Sequence, residues 1–353
     1  MVRRRNLPPV TQAQATAPAS VYRDPARYDA ERRRVFGRSW LFMGHESELP
    51  REGDVVAATI AGYPLLVVRT GGALKAFHNV CRHRAGPLFD QERGNCGGSL
   101  TCKYHGWIYT LDGRLRNARD FGVAAGFDPR DFPLFGLKVE TWRGFVFVNI
   151  DSEASALADT LAPLDKRVGA RDLMRLVHTD RRTHDIACNW KIYVENYLEG
   201  YHIPLVHQGL SAEVDALKYE VHVEGEVCFH YAPVKAAADN AIYDGLWAFA
   251  QPHLGINVYG DGLMMERMLP IGLNLTRLVY DYYLVPEIAD DERERHRIMA
   301  MSGTVTAEDR WICERVQANI EAGVYQAGVF SPKHEQGVAW FQNYVAGALD
   351  APG

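Results

Sequence analysis

The spacing of apolar positions changes character twice along this chain. Near the N-terminus, Tyr28, Val35 and Phe36 recur at close to helical spacing behind Asp24-Pro25, a capping residue followed by one that suits a first helical turn. A short helix is predicted there, with Arg32-Arg33-Arg34 as a solvated face. Between residues 53 and 79 the period shortens: β-branched runs around Val55-Val56 and Val67-Val68 are separated by glycine signals such as Gly71-Gly72, which predicts strands joined by hairpins. Phe145-Val146-Phe147-Val148 adds another strand. After Asp151 the pattern turns alanine-rich and predicts a domain boundary. Beyond it the chain predicts a helical stretch over 157–176, a strand over 181–188, further strands within 219–231, 254–269 and 276–285, and a polar helix over 287–301. A separate helix is expected to open at Thr306 and close at Gly323. The class is α+β: an N-terminal arm and helix (1–40), an all-β domain (41–150), and a second domain mixing strands and helices (151–353).

Composition narrows the partners. At 353 residues and 47% hydrophobic content the chain can bury two ordinary cores. A formal net charge of −5 offers no broad basic field, which argues against nucleic acid or an anionic membrane as partner. Arg3-Arg4-Arg5 precedes no apolar run, so the start reads as a loosely docked arm, and no stretch approaches the ~18 apolar residues of a membrane span. Of the six cysteines, Cys96, Cys188, Cys228 and Cys313 lack framework spacing and read as buried thiols. A cytoplasmic protein is expected.

The candidate chemistry begins at Cys81-Arg82-His83 and Cys102-Lys103-Tyr104-His105. Each loop offers one thiolate and one imidazole. Such a set suits a tetrahedral zinc, or a [2Fe–2S] cluster in which two histidines replace two cysteines on one iron. Zinc sites usually pair their sulfurs through short Cys-to-Cys loops; one Cys and one His per loop favours the dinuclear cluster. Nearby glycines (Gly86, Gly94, Gly97, Gly98, Gly106) supply tight turns and leave backbone N–H groups to face sulfur.

A second centre lies in Glu199-Gly200-Tyr201-His202-Ile203-Pro204-Leu205-Val206-His207. Glu199 and His202 share a helical face, and Pro204 can redirect His207 towards them. Two histidines and a carboxylate with open positions form the iron(II) arrangement that activates dioxygen, and a one-electron cluster upstream needs such an acceptor. The carboxylate should come later in the chain. Thr306 and Asp309 also fit a capping box, in which Asp309 would serve only the helix start.

From about Tyr22 to Gly347 the chain resembles the α subunit of the Rieske non-haem iron oxygenases. Phe77-His78-Asn79-Val80-Cys81-Arg82-His83-Arg84, Cys102-Lys103-Tyr104-His105-Gly106-Trp107 and Asn189-Trp190-Lys191 carry the likeness, with Glu195-Asn196-Tyr197-Leu198-Glu199-Gly200-Tyr201-His202 and the segment around Asp309. Within the family it is most similar to the choline-monooxygenase-like branch, whose members act on quaternary ammonium compounds such as glycine betaine, carnitine and stachydrine. The resemblance implies an all-β Rieske domain with the cluster on Cys81, His83, Cys102 and His105, and a helix-grip catalytic domain. There a mononuclear iron would be held by His202, His207 and Asp309, with Glu308 as the fallback. It further implies a homotrimer in which Glu199, or less readily Glu195, links one subunit's His105 to the next subunit's His202. A loop of eighteen residues between His83 and Cys102 is slightly longer than the family's usual one.

Electrons would reach the cluster from a separate flavin and iron–sulfur reductase or ferredoxin, with NAD(P)H behind it, since the chain shows no flavin or nicotinamide fingerprint. The iron would use O2 to hydroxylate a C–H bond, and an N-methyl ammonium substrate would then lose formaldehyde. Tyr201, Trp247, Phe249 and Tyr259 are the candidate substrate contacts among an aromatic set that includes Tyr193, Tyr282, Tyr283 and Phe330, because aromatic faces attract cations. The same residues could instead form an apolar slot for aromatic ring hydroxylation. A Rieske electron carrier without oxygen chemistry is the reading from another class, and the long second domain weighs against it.

Overall fold

The structure is a computed structural model that describes residues 13–235 and 245–351; the Arg3-Arg4-Arg5 arm lies outside them. Helix α1 (Pro25–Arg34) opens where the cap signal places it, with Asp24 Oδ1 accepting the Ala26 N–H at 2.8 Å. Its inner face carries Glu31, whose carboxylate accepts Lys191 Nζ and Trp190 Nε1, both at 2.9 Å, so the helix is held against the second domain.

Five strands follow: β1 (Leu41–His45), β2 (Asp54–Ile60), β3 (Tyr63–Thr70), β4 (Ala73–His78) and β5 (Arg93–Asn95). Strands β6 (Leu100–Thr101), β7 (Trp107–Tyr109) and β8 (Leu115–Ala118) form a small sheet of their own. With β9 (Gly136–Trp142) and β10 (Phe145–Asn149) the larger sheet is complete, in the order β1-β10-β9-β4-β3-β2-β5. The Gly71-Gly72 turn joins β3 to β4 with both residues at positive φ, a conformation that glycine adopts without a Cβ clash.

Helix α2 (Leu157–Val168) is shorter than the 157–176 stretch expected, because Gly169 at φ +63° ends it and frees the chain to turn into a strand. Strand β11 (Val177–Ile186) leads to α3 (Trp190–Tyr197), α4 (Ile203–Val206) and α5 (Gln208–Glu213). A meander then runs through β12 (Glu220–Glu224), β13 (Val227–Tyr231), β14 (Leu246–Ala250), β15 (Leu254–Val258), β16 (Gly262–Gly272) and β17 (Leu275–Leu284). The seven strands pair antiparallel in the order β11-β17-β16-β15-β14-β13-β12. The strand-like segment 254–269 is thus the hairpin of β15 and β16, and 219–231 that of β12 and β13.

Period-two alternation gives this sheet two buried faces. Met264 and Glu266 of β16 pair with Tyr282 and Tyr280 of β17 and face α3 and α7; Met265 and Arg267 pair with Asp281 and Val279. Asp281 is fully buried and binds Arg267 at 2.6 Å, Arg181 at 2.7 Å and His178 at 3.0 Å, and it lies 3.5 Å from Arg93 of the first domain.

The chain ends in α6 (Pro286–Ala289), α7 (Glu292–Glu321) and α8 (Gln336–Asp350). Here the expectation of two helices, the second opening at Thr306, is overturned: α7 runs unbroken for 30 residues. Thr306 caps nothing. Its hydroxyl lies 2.7 Å from the Ser302 carbonyl and 3.0 Å from the Tyr280 hydroxyl. The inward stripe of α7 (Ser302, Thr306, Asp309, Cys313, Gln317) is mostly polar, so apolar periodicity fades in mid-helix. No helix among the described residues is long and apolar enough to cross a membrane.

N-terminal segment, α3 and α8 meet at Glu195, which accepts the Tyr22 hydroxyl at 2.8–2.9 Å and Gln342 Nε2 at 3.1 Å. Burial pushes its carboxyl up to about 7 from 4.5. A raised carboxyl stabilises the fold fully below pH 4.5, and that contribution is lost as the pH rises through about 7. Unfolding midpoints measured across this range should therefore show the native protein losing stability relative to Glu195→Gln as the pH increases.

Candidate metal centres

The first centre is built on two tight turns. The Cys81 loop leaves β4 and closes with the Cys81 N–H on the Gly86 carbonyl at 2.8 Å; the Cys102 loop joins β6 to β7, with the Cys102 N–H on the Trp107 carbonyl at 2.9 Å. Both thiols are buried, and they lie within hydrogen-bonding reach of each other. The His83 ring packs flat on Trp107 at 4.9 Å and edge-on to His105 at 4.6 Å.

Two observations test whether a cluster fits. His83 Nδ1 is buried without a hydrogen-bond partner, a cost that a metal bond would remove. A Cβ on Gly86 would come within 2.8 Å of Cys102 Sγ, so glycine is what keeps this sulfur's surroundings open. Backbone N–H groups of Tyr104 and His105 face the same sulfur, and the Tyr109 hydroxyl lies 3.3 Å from Cys81 Sγ. Donors of this kind stabilise a cluster's sulfurs and tune its potential. The residues fit a [2Fe–2S] cluster. Tyr109 is a contact that the sequence reading missed, although its place four residues after His105 on β7 could have signalled it.

The second centre sits where α3 gives way to α4. His202 precedes α4 and His207 follows it, and Pro204 lies between them in a helix of only four residues. On an ideal helix five residues would set the two rings far apart; the break brings the Nε2 atoms to 3.0 Å. Asp309, from the middle of α7, places Oδ1 3.1 Å from His207 Nε2 and 3.7 Å from His202 Nε2. These three donors all lie within 4.8 Å of one another. Donors about 2.1 Å from one ion and at right angles would sit about 3.0 Å apart, the facial pattern that leaves positions open. The residues fit a mononuclear iron, and Asp309 faces the histidines rather than a helix start.

The outer nitrogens are held as well. Glu199 Oε1 lies 2.5 Å from His202 Nδ1, and Glu308 Oε2 lies 2.7 Å from His207 Nδ1. Glu308, the fallback ligand in sequence, therefore serves the far side of His207 and does not join the converging set. Asn196 Nδ2 donates to Asp309 Oδ1 at 2.7 Å; it is a second residue the sequence reading passed over. Burial alone would lower the pKa of His207, but the Asp309 and Glu308 carboxylates outweigh it and raise it, as expected for acids awaiting a cation. Glu195, the lesser bridge candidate, points to Tyr22 and Gln342 instead.

A cavity of about 260 Å³ opens on this site. Trp247 and Tyr259 line it as expected, together with Tyr193, Tyr197, Tyr280 and Tyr282. Tyr201 and Phe249 do not. Tyr201 is 58% exposed and stacks on His334 at 4.6 Å; Phe249, two residues along β14 from Trp247, is fully buried and packs in the core against Phe341. Both were chosen for being aromatic, and only the fold decides which rings face the iron ligands.

Residues 39–127 match the Rieske [2Fe-2S] domain family, and residues 173–231 and 230–351 match the ring hydroxylating alpha subunit (catalytic domain) family. This chain is a Rieske non-haem iron oxygenase α subunit. It is 30% identical to the chloroplastic choline monooxygenase of Beta vulgaris, over 92% of this chain and 75% of that one. It is also 30% identical to the carnitine monooxygenase oxygenase subunit of Escherichia coli K12, over 94% and 93%. A solved quaternary ammonium Rieske monooxygenase, described for carnitine oxidation and inter-subunit electron transfer, superimposes with a TM-score of 0.86 at 27% identity, covering 96% of each chain. The catalytic match excludes a bare electron carrier: this oxidoreductase is an oxygenase component that takes electrons from a partner reductase and acts on a small molecule.

Removing the two acids should separate their roles. Asp309→Ala should abolish mononuclear iron binding while the cluster's visible absorption persists, whereas Glu308→Ala should weaken iron affinity by about 10–100-fold, as read by chelator competition.

Proposed function

We propose that this oxygenase hydroxylates a carbon bonded to the nitrogen of a quaternary ammonium compound and so N-demethylates a betaine-like substrate. The observation that carries the reading is the meeting of His202, His207 and Asp309 with a small cavity walled by Tyr193, Trp247, Tyr259, Tyr280 and Tyr282. Aromatic faces attract a cation without requiring an N–H donor, which a quaternary nitrogen lacks. The named relatives that act on choline and carnitine support the same substrate class.

When bound, the cluster on Cys81, His83, Cys102 and His105 supplies single electrons, and the iron on His202, His207 and Asp309 supplies dioxygen activation. The chain's own residues prepare this. Glu199 and Glu308 hold the two imidazoles by their outer nitrogens so that both Nε2 atoms stay turned inward. The aromatic walls exclude water and hold the methyl groups beside the ligand set. In the overall reaction a C–H becomes a C–OH; one atom of O2 enters the product and the other leaves as water, with two electrons from the reductase and two protons from solvent. The hydroxymethyl ammonium then releases formaldehyde and a proton, leaving a tertiary amine.

Glu199 lies 2.5 Å from His202 Nδ1, and a similar solved monooxygenase is described for inter-subunit electron transfer; both support a route from His105 through Glu199 to the next subunit's His202. A homotrimer supplies that neighbour. The reductase would be a flavin and iron–sulfur protein or ferredoxin fed by NAD(P)H, and the four cysteines outside the cluster, none in a disulfide, suit a cytoplasmic setting.

Turnover of the iron-loaded protein with a reductase should yield formaldehyde from betaines; ring-hydroxylated product from simple aromatics without formaldehyde would move it to the aromatic oxygenases. Light scattering should give three times the 39.7 kDa chain mass. A monomer that keeps full turnover would sink the inter-subunit route.

A further inference from the structure

Glu266 is a buried acid in the cavity wall that the ligand set does not use. It sits in β16 opposite Tyr280 of β17, only 4% exposed, and lines the cavity together with the iron ligands. Its carboxylate accepts the Tyr280 hydroxyl at 3.0 Å, and the Tyr193 hydroxyl also reaches it. No Lys, Arg or His among the described residues forms an ion pair with it. The adjacent Arg267 emerges on the opposite face of the sheet and is committed to Asp281 at 2.6 Å. Arg297, a basic residue of the cavity lining, is paired with Glu294.

A buried carboxylate with no cation is costly, and here burial pushes the carboxyl up to about 8. The site therefore favours a ligand that brings positive charge. The kind of cation follows from the rest of the wall, whose tyrosine and tryptophan faces meet positive charge without needing an N–H. The Tyr280 hydroxyl occupies one acceptor position of the acid, and a cation bound in the cavity would hold the acid in its charged form. A quaternary nitrogen, which has charge and no N–H, matches that arrangement. We propose that Glu266 is the counter-charge by which this cavity selects a quaternary ammonium over an uncharged molecule of the same shape. The inference rests on the substrate class proposed above and assigns the residue that enforces it.

The test uses two pairs in which carbon replaces nitrogen: choline with dimethylbutanol, and glycine betaine with dimethylbutyrate. Calorimetric affinities are measured on the holoenzyme with cluster and iron loaded. The native protein should prefer the ammonium member of at least one pair. Glu266→Gln should cut that preference by about tenfold or more, while Glu266→Asp, which keeps the charge, should retain most of it. Undiminished affinity of the Gln variant for dimethylbutanol, which carries no charge, shows that its cavity is intact. If Glu266→Gln keeps the native preference, Glu266 is a structural acid and the inference falls while the substrate class stands. If the native protein prefers neither ammonium, both fall. Should Glu266→Gln fail to load iron, Tyr280→Phe provides an independent arm. By removing the hydroxyl that stabilises the charged acid it should lower the preference for choline over dimethylbutanol, and an unchanged preference would overturn the proposal.

Discussion

The catalytic half depends on a helix that buries polar groups. Along α7, Ser302, Thr306, Asp309, Cys313 and Gln317 face inward, and each must find a partner because an unpaired polar group in the interior is expensive. They find Tyr282, Tyr280, Asn196, Cys188 and the Asn189 N–H respectively. Satisfying all five at once leaves α7 little freedom to rotate or slide. Asp309 is delivered to the histidines as a consequence. The same contacts register α3, since Gln317 accepts the N–H of its cap residue Asn189 at 2.8 Å while Asn196 near its other end meets Asp309.

The cluster domain is organised differently. Its ligands lie on turns, and the hairpins behind them do the positioning, so precision comes from backbone hydrogen bonds rather than side-chain packing. The two halves are tied by charge. Arg93 reaches Asp281, and Glu92 meets Arg181 at 2.7 Å, so the acid that neutralises Arg267 inside the second sheet also engages the first domain. Removing such an acid would strand buried guanidinium groups, which typically costs about 3–5 kcal/mol.

Face alternation in β16 and β17 divides the two electrostatic tasks. One face holds Arg267 and Asp281, an ion pair that Arg181 and His178 join. The other holds Glu266 and Tyr280, an acid without a cation that opens to the cavity. Neighbouring residues thus serve structure and recognition separately, because successive side chains on a strand leave on opposite sides.

Sequence alone was enough to bring out the candidate ligand sets whose residues lie close together in the chain. Cys81, His83, Cys102 and His105 are legible because short turns impose their spacing, and His202 and His207 because Pro204 announces the break between them. Asp24 as a helix cap and the Gly71-Gly72 hairpin are legible for the same local reason. Tertiary structure alone decided the rest. Asp309, favoured as a ligand, also fitted a capping box until α7 proved continuous, since a polar buried stripe carries no apolar period. Glu308 and Asp309 are adjacent in sequence, yet only the packing of α7 tells which carboxylate meets Nε2 and which meets Nδ1. Trp247 and Phe249 are both aromatic and two residues apart; cavity or core is decided by what the sheet packs against, and Glu266 became visible only once its neighbours across β17 were known.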